Sequence, residues 1–385
     1  MEFVNDKTEF PSMVHQQIYF QALRLTPVEA SLKEVPAEWE ALTGSCRDYA
    51  AYIRALLEDM YQDPESYGMR PGAMERFLDG KKINRFQRIC PAKVDALRSE
   101  LHDSVYQYFR YLLALGTAGE VEGQRLVIPP EEYEKIRLRF DKSCNPKRKT
   151  ADNRIPYETR LAALERTGLF ITEQEGAAVV SSESYPAMLP AMKALAKSAG
   201  TVKTFGKQGF YNCEFRQLFY RYTPQYEDVM RPLPKQLRDT ADSFYDLAME
   251  WKLRPSCTTF WKVNFTWKST FVVQMSTEGN HLIIRVCGAY RWEDQPFFNR
   301  LLEGKSEQLQ KYAVRHLNYC TGCASKHLGM FAEVLGKRKR VCGGGEIGFR
   351  VTDPTPEDFL YFKEFIQMRR NFISAQTQAK RKMEA

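Results

Sequence analysis

Four residues near the C-terminus have the types and spacing of a metal site. Cys320 and Cys323 are separated by two residues, which lets two thiolates from one tight turn bind a common ion at ~2.3 Å. Cys342, next to three glycines, is the expected third ligand and His327 the fourth. His316, one helical turn before Cys320, is an alternative fourth ligand. Because four protein ligands leave no open position, the pattern predicts a structural zinc ion in a zinc-knuckle-like cluster.

Two other interpretations of these cysteines stay open. If residues 324–335 form a helix, Cys320 and Cys323 lie at its N-terminus, where the helix dipole lowers a thiol pKa and favours a redox dithiol. The βαβ pattern that accompanies a thioredoxin-like motif is missing here. The thiols could also be unligated. The remaining cysteines lack partners in sequence and are expected to be buried small hydrophobic residues: Cys46, Cys90, Cys144, Cys213, Cys257 and Cys287.

A basic run lies between the expected zinc ligands. It follows Gly336 and consists of Lys337, Arg338, Lys339 and Arg340. Held by a metal, such a loop could contact phosphates. The alternative is a charged turn that is simply solvated. In the first interpretation, these four basic residues are expected nucleic-acid contacts.

A second basic segment belongs to a pattern of helices and strands. Apolar spacing predicts helices over 94–115, 130–140 and 157–166, followed by strands over 169–172 and 177–180. Three helices followed by a hairpin resemble a winged helix, a helix-turn-helix variant, over residues 94–182. In that arrangement the expected nucleic-acid contacts are Lys147, Arg148, Lys149, Arg154 and Arg160.

The tip of this hairpin argues against nucleic-acid binding. Glu173 and Glu175 lie in the turn between the two strands, and their carboxylates would repel phosphates. A winged helix used for protein contact, or an ordinary α+β segment, explains the same pattern.

Aromatic residues dominate the part of the chain after residue 205. Trp261, Val263, Phe265 and Trp267 alternate with polar residues, which predicts a strand with one apolar face. Further strands over 271–275 and 281–286 would complete an antiparallel meander. Trp261, Phe265 and Trp267 could line a ligand pocket. The alternative is that this face packs into the core.

Composition sets the broad class. The 385 residues include 43% hydrophobic and 27% charged residues and nine cysteines, which fits a globular chain without a disulfide scaffold. The net charge of +8 is uneven: −2 in residues 1–200, +4 in 201–300 and +6 in 301–385. A transmembrane helix and a secretory signal are not expected, so the expected compartment is the cytoplasm.

The sequence predicts an α+β protein with a mainly helical N-terminal half and a C-terminal antiparallel meander packed with helices. We expect a helical region over 1–93, a winged-helix-like segment over 94–205 and an α+β domain with the cysteine cluster over 206–385. Common catalytic motifs are missing, which favours a non-enzymatic, nucleic-acid-associated or regulatory protein. A ligand-binding protein, an unrecognised enzyme and a thiol redox protein remain alternatives. A protein partner and the oligomeric state are not predicted.

Overall fold

A computed structural model describes most of the chain. The described residues are 9–33, 35–69, 91–142, 156–174, 177–201, 206–219, 223–258, 261–278, 281–287, 299, 302–317, 330–341 and 348–384. Their contacts form two compact units, the first made of Met1–Arg85 with Leu97–Tyr222 and the second of Phe86–Ala96 with Thr223–Ala385.

The first unit is mainly helical. Its helices are α1 (Met13–Arg24), α2 (Val28–Leu32), α3 (Thr43–Gln62), α4 (Pro91–Ala118, which begins in the second unit), α5 (Pro130–Lys142), α6 (Tyr157–Arg166), α7 (Met188–Thr201) and α8 (Gly206–Tyr211). Short 3-10 turns cover Ala37–Leu42, Pro64–Tyr67 and Phe215–Leu218. Helix α3 shows why the chain folds this way, because its buried residues recur at helical spacing: Tyr49, Tyr52, Ile53, Leu56, Leu57 and Met60.

A four-stranded antiparallel sheet completes the first unit. Its strands are β1 (Glu120–Glu122), β2 (Arg125–Ile128), β3 (Phe170–Gln174) and β4 (Ala177–Ser181), in the order β1-β2-β4-β3. The expected hairpin is confirmed by the pairing of Phe170 with Ser181 and of Gln174 with Ala177. Hairpin β1–β2 turns at Gly123, which adopts a φ of 61°, a backbone region that favours glycine.

One hydrophobic core serves the whole first unit. It extends from Val14 in α1 to Phe215, and includes Leu112 of α4 and Val180 of β4. Residues on both sides of the expected boundary at 93/94 contribute to this core, and the boundary itself lies within α4.

The second unit combines a sheet with helices. It contains α9 (Tyr226–Met230), α10 (Lys235–Glu250), β5 (Arg254–Thr258), β6 (Lys262–Trp267), β7 (Thr270–Glu278), β8 (His281–Cys287), α11 (Glu307–His316), β9 (Met330–Val334), β10 (Lys337–Val341), β11 (Gly348–Thr352) and α12 (Pro356–Glu384). Five strands form one antiparallel sheet in the order β11-β8-β7-β6-β5, and β9 and β10 form a separate hairpin. Helix α12 packs against β7 and β8, and α10 against β5 and β8.

The predicted meander and the α+β class are confirmed. Strand β6 places Val263 and Phe265 in the core of the second unit, which is the alternation that the sequence indicates. The turn between β6 and β7 consists of Lys268 and Ser269, whose φ angles are both positive, as in a type I′ hairpin turn.

Two segments of the second unit differ from the interpretations of the sequence. Residues 330–334 form strand β9 and not the end of a helix over 324–335. The basic run, residues 337–340, likewise lies in a strand, β10, and not in a loop.

Candidate nucleic-acid interface

The β9–β10 hairpin carries four consecutive basic residues. Its register pairs Lys337 with Val334, Arg338 with Glu333 and Arg340 with Phe331. Leu335 and Gly336 form the turn with φ angles of 49° and 72°, again the geometry of a type I′ turn. The tight turn fixes the register, and the register decides which residues lie opposite one another.

The hairpin is anchored at its turn end and exposed farther along. Val334 is fully buried in the core of the second unit, and Leu335 packs against that core. Phe331 is 58% exposed, and Glu333, Lys337 and Arg338 are also exposed. The core therefore holds the hairpin in place while Phe331, Glu333, Lys337 and Arg338 face solvent.

Arg338 and Phe331 form a cation–π pair on this exposed surface. The guanidinium carbon of Arg338 lies 4.3 Å from the centre of the Phe331 ring. Phe331 pairs directly with Arg340, so its contact with Arg338 is a diagonal cross-strand pair. Such a contact places the guanidinium over the face of the ring.

An exposed aromatic ring beside arginine and lysine residues can interact with both the bases and the phosphates of a nucleic acid. Aromatic rings and guanidinium planes stack with nucleic-acid bases, and lysine and arginine neutralise phosphates. The hairpin holds four basic residues and one acidic residue, Glu333. This composition suits a polyanion whose bases are accessible, as in a single strand.

Four of the predicted contact residues lie on the hairpin, on β10: Lys337, Arg338, Lys339 and Arg340. The described side chains among them, Lys337 and Arg338, are exposed. The prediction did not include Phe331. Residues 330–335 do not alternate between apolar and polar side chains, so their sequence carries no clear strand signal.

Arg160 does not lie where a nucleic-acid contact requires it. Its side chain is fully buried. The guanidinium donates hydrogen bonds to the carbonyl oxygens of Phe140, at 2.9 Å, and Asp141, at 3.3 Å. The expected contact of Arg160 with a phosphate or a base is therefore incompatible with this structure, because the guanidinium is used inside the first unit.

The solvent-facing side of α6 is not basic. Glu158, Thr159, Ala162, Glu165 and Arg166 are its exposed residues. Arg166 forms ion pairs with Asp59, at 2.8 Å, and Asp63, at 3.3 Å. Two glutamates and a paired arginine do not attract a phosphate backbone. Lys147, Arg148, Lys149 and Arg154, which precede α6, lie outside the described residues.

The expected metal ligands Cys320, Cys323, His327 and Cys342 also lie outside the described residues. The alternative ligand His316 is described, and its ring lies 4.4 Å from that of Tyr312. Burial lowers the pKa of His316, and the neighbouring Arg315 lowers it further. Within the described ranges, no three histidine, cysteine, aspartate or glutamate side chains form a group that could hold a metal ion.

The aromatic residues expected to line a pocket lie in different surroundings. Phe265 is fully buried and contacts Phe244 and Tyr245 edge-on, so it belongs to the core. Trp267 is half-buried, and two cations, Lys268 and Arg370, lie over its ring at 4.4 and 4.9 Å.

Trp261 is half-buried and precedes β6 with a φ of 56°. Phe265 therefore packs into the core, as in the alternative interpretation of this face. Trp267 contacts charged side chains.

Comparisons with known proteins returned no match: no family model, no curated protein and no solved structure is similar to this chain. Among the described helices, none has the length and apolar character needed to cross a membrane.

Proposed function

We propose that this protein binds nucleic acid through the β9–β10 hairpin, with a preference for single strands. The observation that carries the proposal is the Arg338 guanidinium stacked on the exposed ring of Phe331. The pair offers a stacking surface for a base, and the exposed Lys337, on the other face of β10, adds positive charge. Lys339 and Arg340 remain proposed nucleic-acid contacts on their sequence alone.

Charge distribution supports this location. The first 200 residues carry a net charge of −2, and residues 301–385 carry +6. A polyanion is attracted to the basic part of a chain over roughly one Debye length, about 8 Å at physiological salt. The exposed face of α6, with Glu158 and Glu165, offers no comparable attraction.

We retain the winged-helix-like segment as part of the proposal, with a role in protein contact. The order α4–β2–α5–α6–β3–β4 supports it, as does the pairing of β2 with β4. The acidic surface of α6 favours a protein partner for this segment. Lys147, Arg148, Lys149 and Arg154 remain proposed nucleic-acid contacts, on their sequence alone.

A structural zinc ion remains proposed for Cys320, Cys323, His327 and Cys342. The pairing of Met330 with Val341 supports it, because the chain enters and leaves the hairpin at the same end. Cys342 directly follows Val341, and the other three ligands precede Met330. A zinc ion there would fix the end of the hairpin opposite the turn. We propose a reducing, cytoplasmic compartment on the same cysteine usage.

The test of nucleic-acid binding is a fluorescence-anisotropy titration with labelled single- and double-stranded DNA of mixed sequence, at several salt concentrations. We expect tighter binding to the single strand and a steep loss of affinity with salt. Phe331→Ala should weaken single-strand binding roughly tenfold and leave the salt dependence unchanged, because stacking contributes ~1–3 kcal/mol per base.

A double variant, Lys337→Gln with Arg338→Gln, tests the charges. It should reduce the slope of log K against log salt by about one to two. Lys311→Gln, an exposed lysine on α11, is the matched control and should bind like the wild type. The proposal is overturned if the wild type binds neither DNA at low salt, or if the hairpin variants, shown to be folded by circular dichroism, bind as tightly as the wild type.

Elemental analysis of the purified protein tests the metal. Near-stoichiometric zinc that is lost in Cys320→Ser is expected. A metal-free wild-type protein with readily alkylated Cys320 and Cys323 would instead favour the redox-dithiol alternative.

A further inference from the structure

A cavity of about 830 Å³ lies within the first unit, between α4, α5, α7 and α8. Its volume is in the range of small-molecule sites, roughly 300–1,000 Å³. Rings line much of its interior: Tyr106, Tyr111, Phe140 and Tyr211, all at least nine-tenths buried. Small residues of α4 and α7, such as Ala114 and Ala196, leave the space between the helices open.

Cations border the cavity. Arg110, Arg139 and Lys207 line it and are exposed, so they lie toward solvent while the rings lie deeper. Glu132 is the single carboxylate among the lining residues. Three cations and one carboxylate give the cavity an excess of positive charge, which attracts an anion.

Two of these cations, Arg110 and Arg139, influence the pKa of Tyr211, a buried residue that lines the cavity. Arg110 makes a side-chain hydrogen bond to Tyr211. Burial raises the pKa of Tyr211, and the charges of Arg110 and Arg139 oppose that rise. Arg110 and Arg139 thus both favour negative charge at the same tyrosine of the cavity.

From the cavity, its rings and its cations we propose that the first unit binds a small aromatic anion, a flat ring system that carries a carboxylate, sulfonate or phosphate group. The ring system packs among Tyr106, Tyr111, Phe140 and Tyr211. The anionic group faces Arg110, Arg139 and Lys207, where charge-assisted hydrogen bonds form. This site lies entirely within the first unit and does not depend on the proposed hairpin function.

A pair of fluorescent probes tests the two halves of the site separately. 1-Anilinonaphthalene-8-sulfonate is an aromatic anion, and N-phenyl-1-naphthylamine is the same ring system without the sulfonate. We expect the anion to bind the full-length protein with one-to-one stoichiometry. Replacing Arg110 and Arg139 together by glutamine should weaken binding of the anion roughly tenfold and change that of the neutral probe much less.

Two further variants complete the experiment. Ala114→Trp places a large side chain in the cavity and should weaken both probes. Arg125→Gln removes an exposed charge of β2, which does not line the cavity, and should change neither. The proposal is overturned if the double glutamine variant weakens both probes equally, or if Ala114→Trp, folded by circular dichroism, leaves both affinities unchanged.

Discussion

Arg160 and Phe140 are joined by two contacts inside the first unit. The guanidinium carbon of Arg160 lies 4.4 Å from the centre of the Phe140 ring, and Nη1 donates a 2.9 Å hydrogen bond to the Phe140 carbonyl oxygen. Nη2 donates to the carbonyl oxygen of Asp141. These carbonyls belong to the last turn of α5, which has no helical donors. The buried guanidinium of Arg160, on α6, therefore caps the C-terminus of α5 and lies at the negative end of the α5 dipole.

Replacing Arg160 should destabilise the first unit. Arg160→Met removes the donors to both carbonyls and should lower the free energy of unfolding by about 2–4 kcal/mol. Arg160→Lys keeps one donor group and should lose roughly half as much. Urea unfolding followed by circular dichroism measures both.

The matched control for Arg160 lies on α5 itself. Arg137 forms an ion pair with Glu134 at the surface, so Arg137→Met should cost less than about 1 kcal/mol. Equal stability of Arg160→Met and the wild type would contradict the capping role and show that an apolar side chain of similar size suffices at this position.

The same helix shows what sequence patterns can and cannot predict. The apolar spacing of α6 predicts its bounds, Tyr157–Arg166, as observed. The burial of Arg160 was not predicted, because charged residues are mostly exposed and its partners are carbonyls about twenty residues earlier in the chain. Contacts that are distant in sequence leave no periodic signal.

For the candidate interface, the sequence indicated the basic residues but not the strands that hold them. The basic residues of β10 are evident in the sequence, but their strand was not, because lysine is depleted in strands and the Leu335-Gly336 turn lacks the usual Asn-Gly signal. The pairing with β9 brings Phe331 to these charges. Strand pairing depends on a partner segment, so a single-segment pattern does not reveal it.

Asp353 should stabilise the second unit through its side chain. Its Oδ1 accepts a 2.9 Å hydrogen bond from the Leu282 amide, and its Oδ2 lies 2.5 Å from Nδ1 of His281. The backbone of Asp353 has a φ of 49°, which asparagine tolerates better than alanine does. We expect Asp353→Ala to lose about 1–3 kcal/mol of stability and Asp353→Asn clearly less.

Chemical unfolding of the full chain measures this difference. Asp246→Ala, at an exposed position of α10, is the control and should stay within about 0.5 kcal/mol of the wild type. Equal losses for the alanine and asparagine variants of Asp353 would show that neither the backbone conformation nor the amide acceptor accounts for its contribution.

Cys257 on β5 should react slowly with alkylating agents. Burial raises the pKa of its thiol to about 11, and the charges of Glu227 and Asp228 contribute. The thiolate is the reactive form. At pH 8 its thiolate fraction is roughly a hundredfold below that of a thiol with the ordinary pKa of 9.0. Alkylation should therefore accelerate about tenfold for each unit of pH between 8 and 10.

Peptide-level mass spectrometry after brief iodoacetamide treatment reads the rate at Cys257 and at the other cysteines separately. Cys46 and Cys213, both fully buried, should stay unmodified in the folded protein. Alkylation of Cys257 at pH 7 as fast as that of free cysteine would contradict its raised pKa.

Tyr157 is the centre of a hydrogen-bonded group of tyrosines. Its hydroxyl lies 2.6 Å from that of Tyr133 and 3.1 Å from that of Tyr111. Tyr157→Phe removes both hydrogen bonds and leaves two largely buried hydroxyls without this partner, so it should cost about 2–3 kcal/mol of stability. Tyr133→Phe removes one of them and should cost about 1 kcal/mol.

The same group predicts how stability falls at alkaline pH. Burial raises the pKa of Tyr157 and of Tyr111 above 10.0, and neighbouring tyrosines raise the pKa of Tyr111 further. Below pH 10 both states hold these protons. Above pH 10 the unfolded chain loses them first, so each tyrosine should cost up to about 1.4 kcal/mol of stability per pH unit until its folded pKa is reached.

Urea unfolding at pH 9 and pH 11 measures this loss. Because Tyr157→Phe removes one ionisable hydroxyl, its stability should fall less between these pH values than that of the wild type, although it starts lower at pH 9. Tyr61→Phe, a tyrosine outside this group, is the comparison for the loss of a hydroxyl elsewhere. If Tyr157→Phe and the wild type lose the same stability between pH 9 and pH 11, the raised pKa of Tyr157 does not contribute to alkaline unfolding.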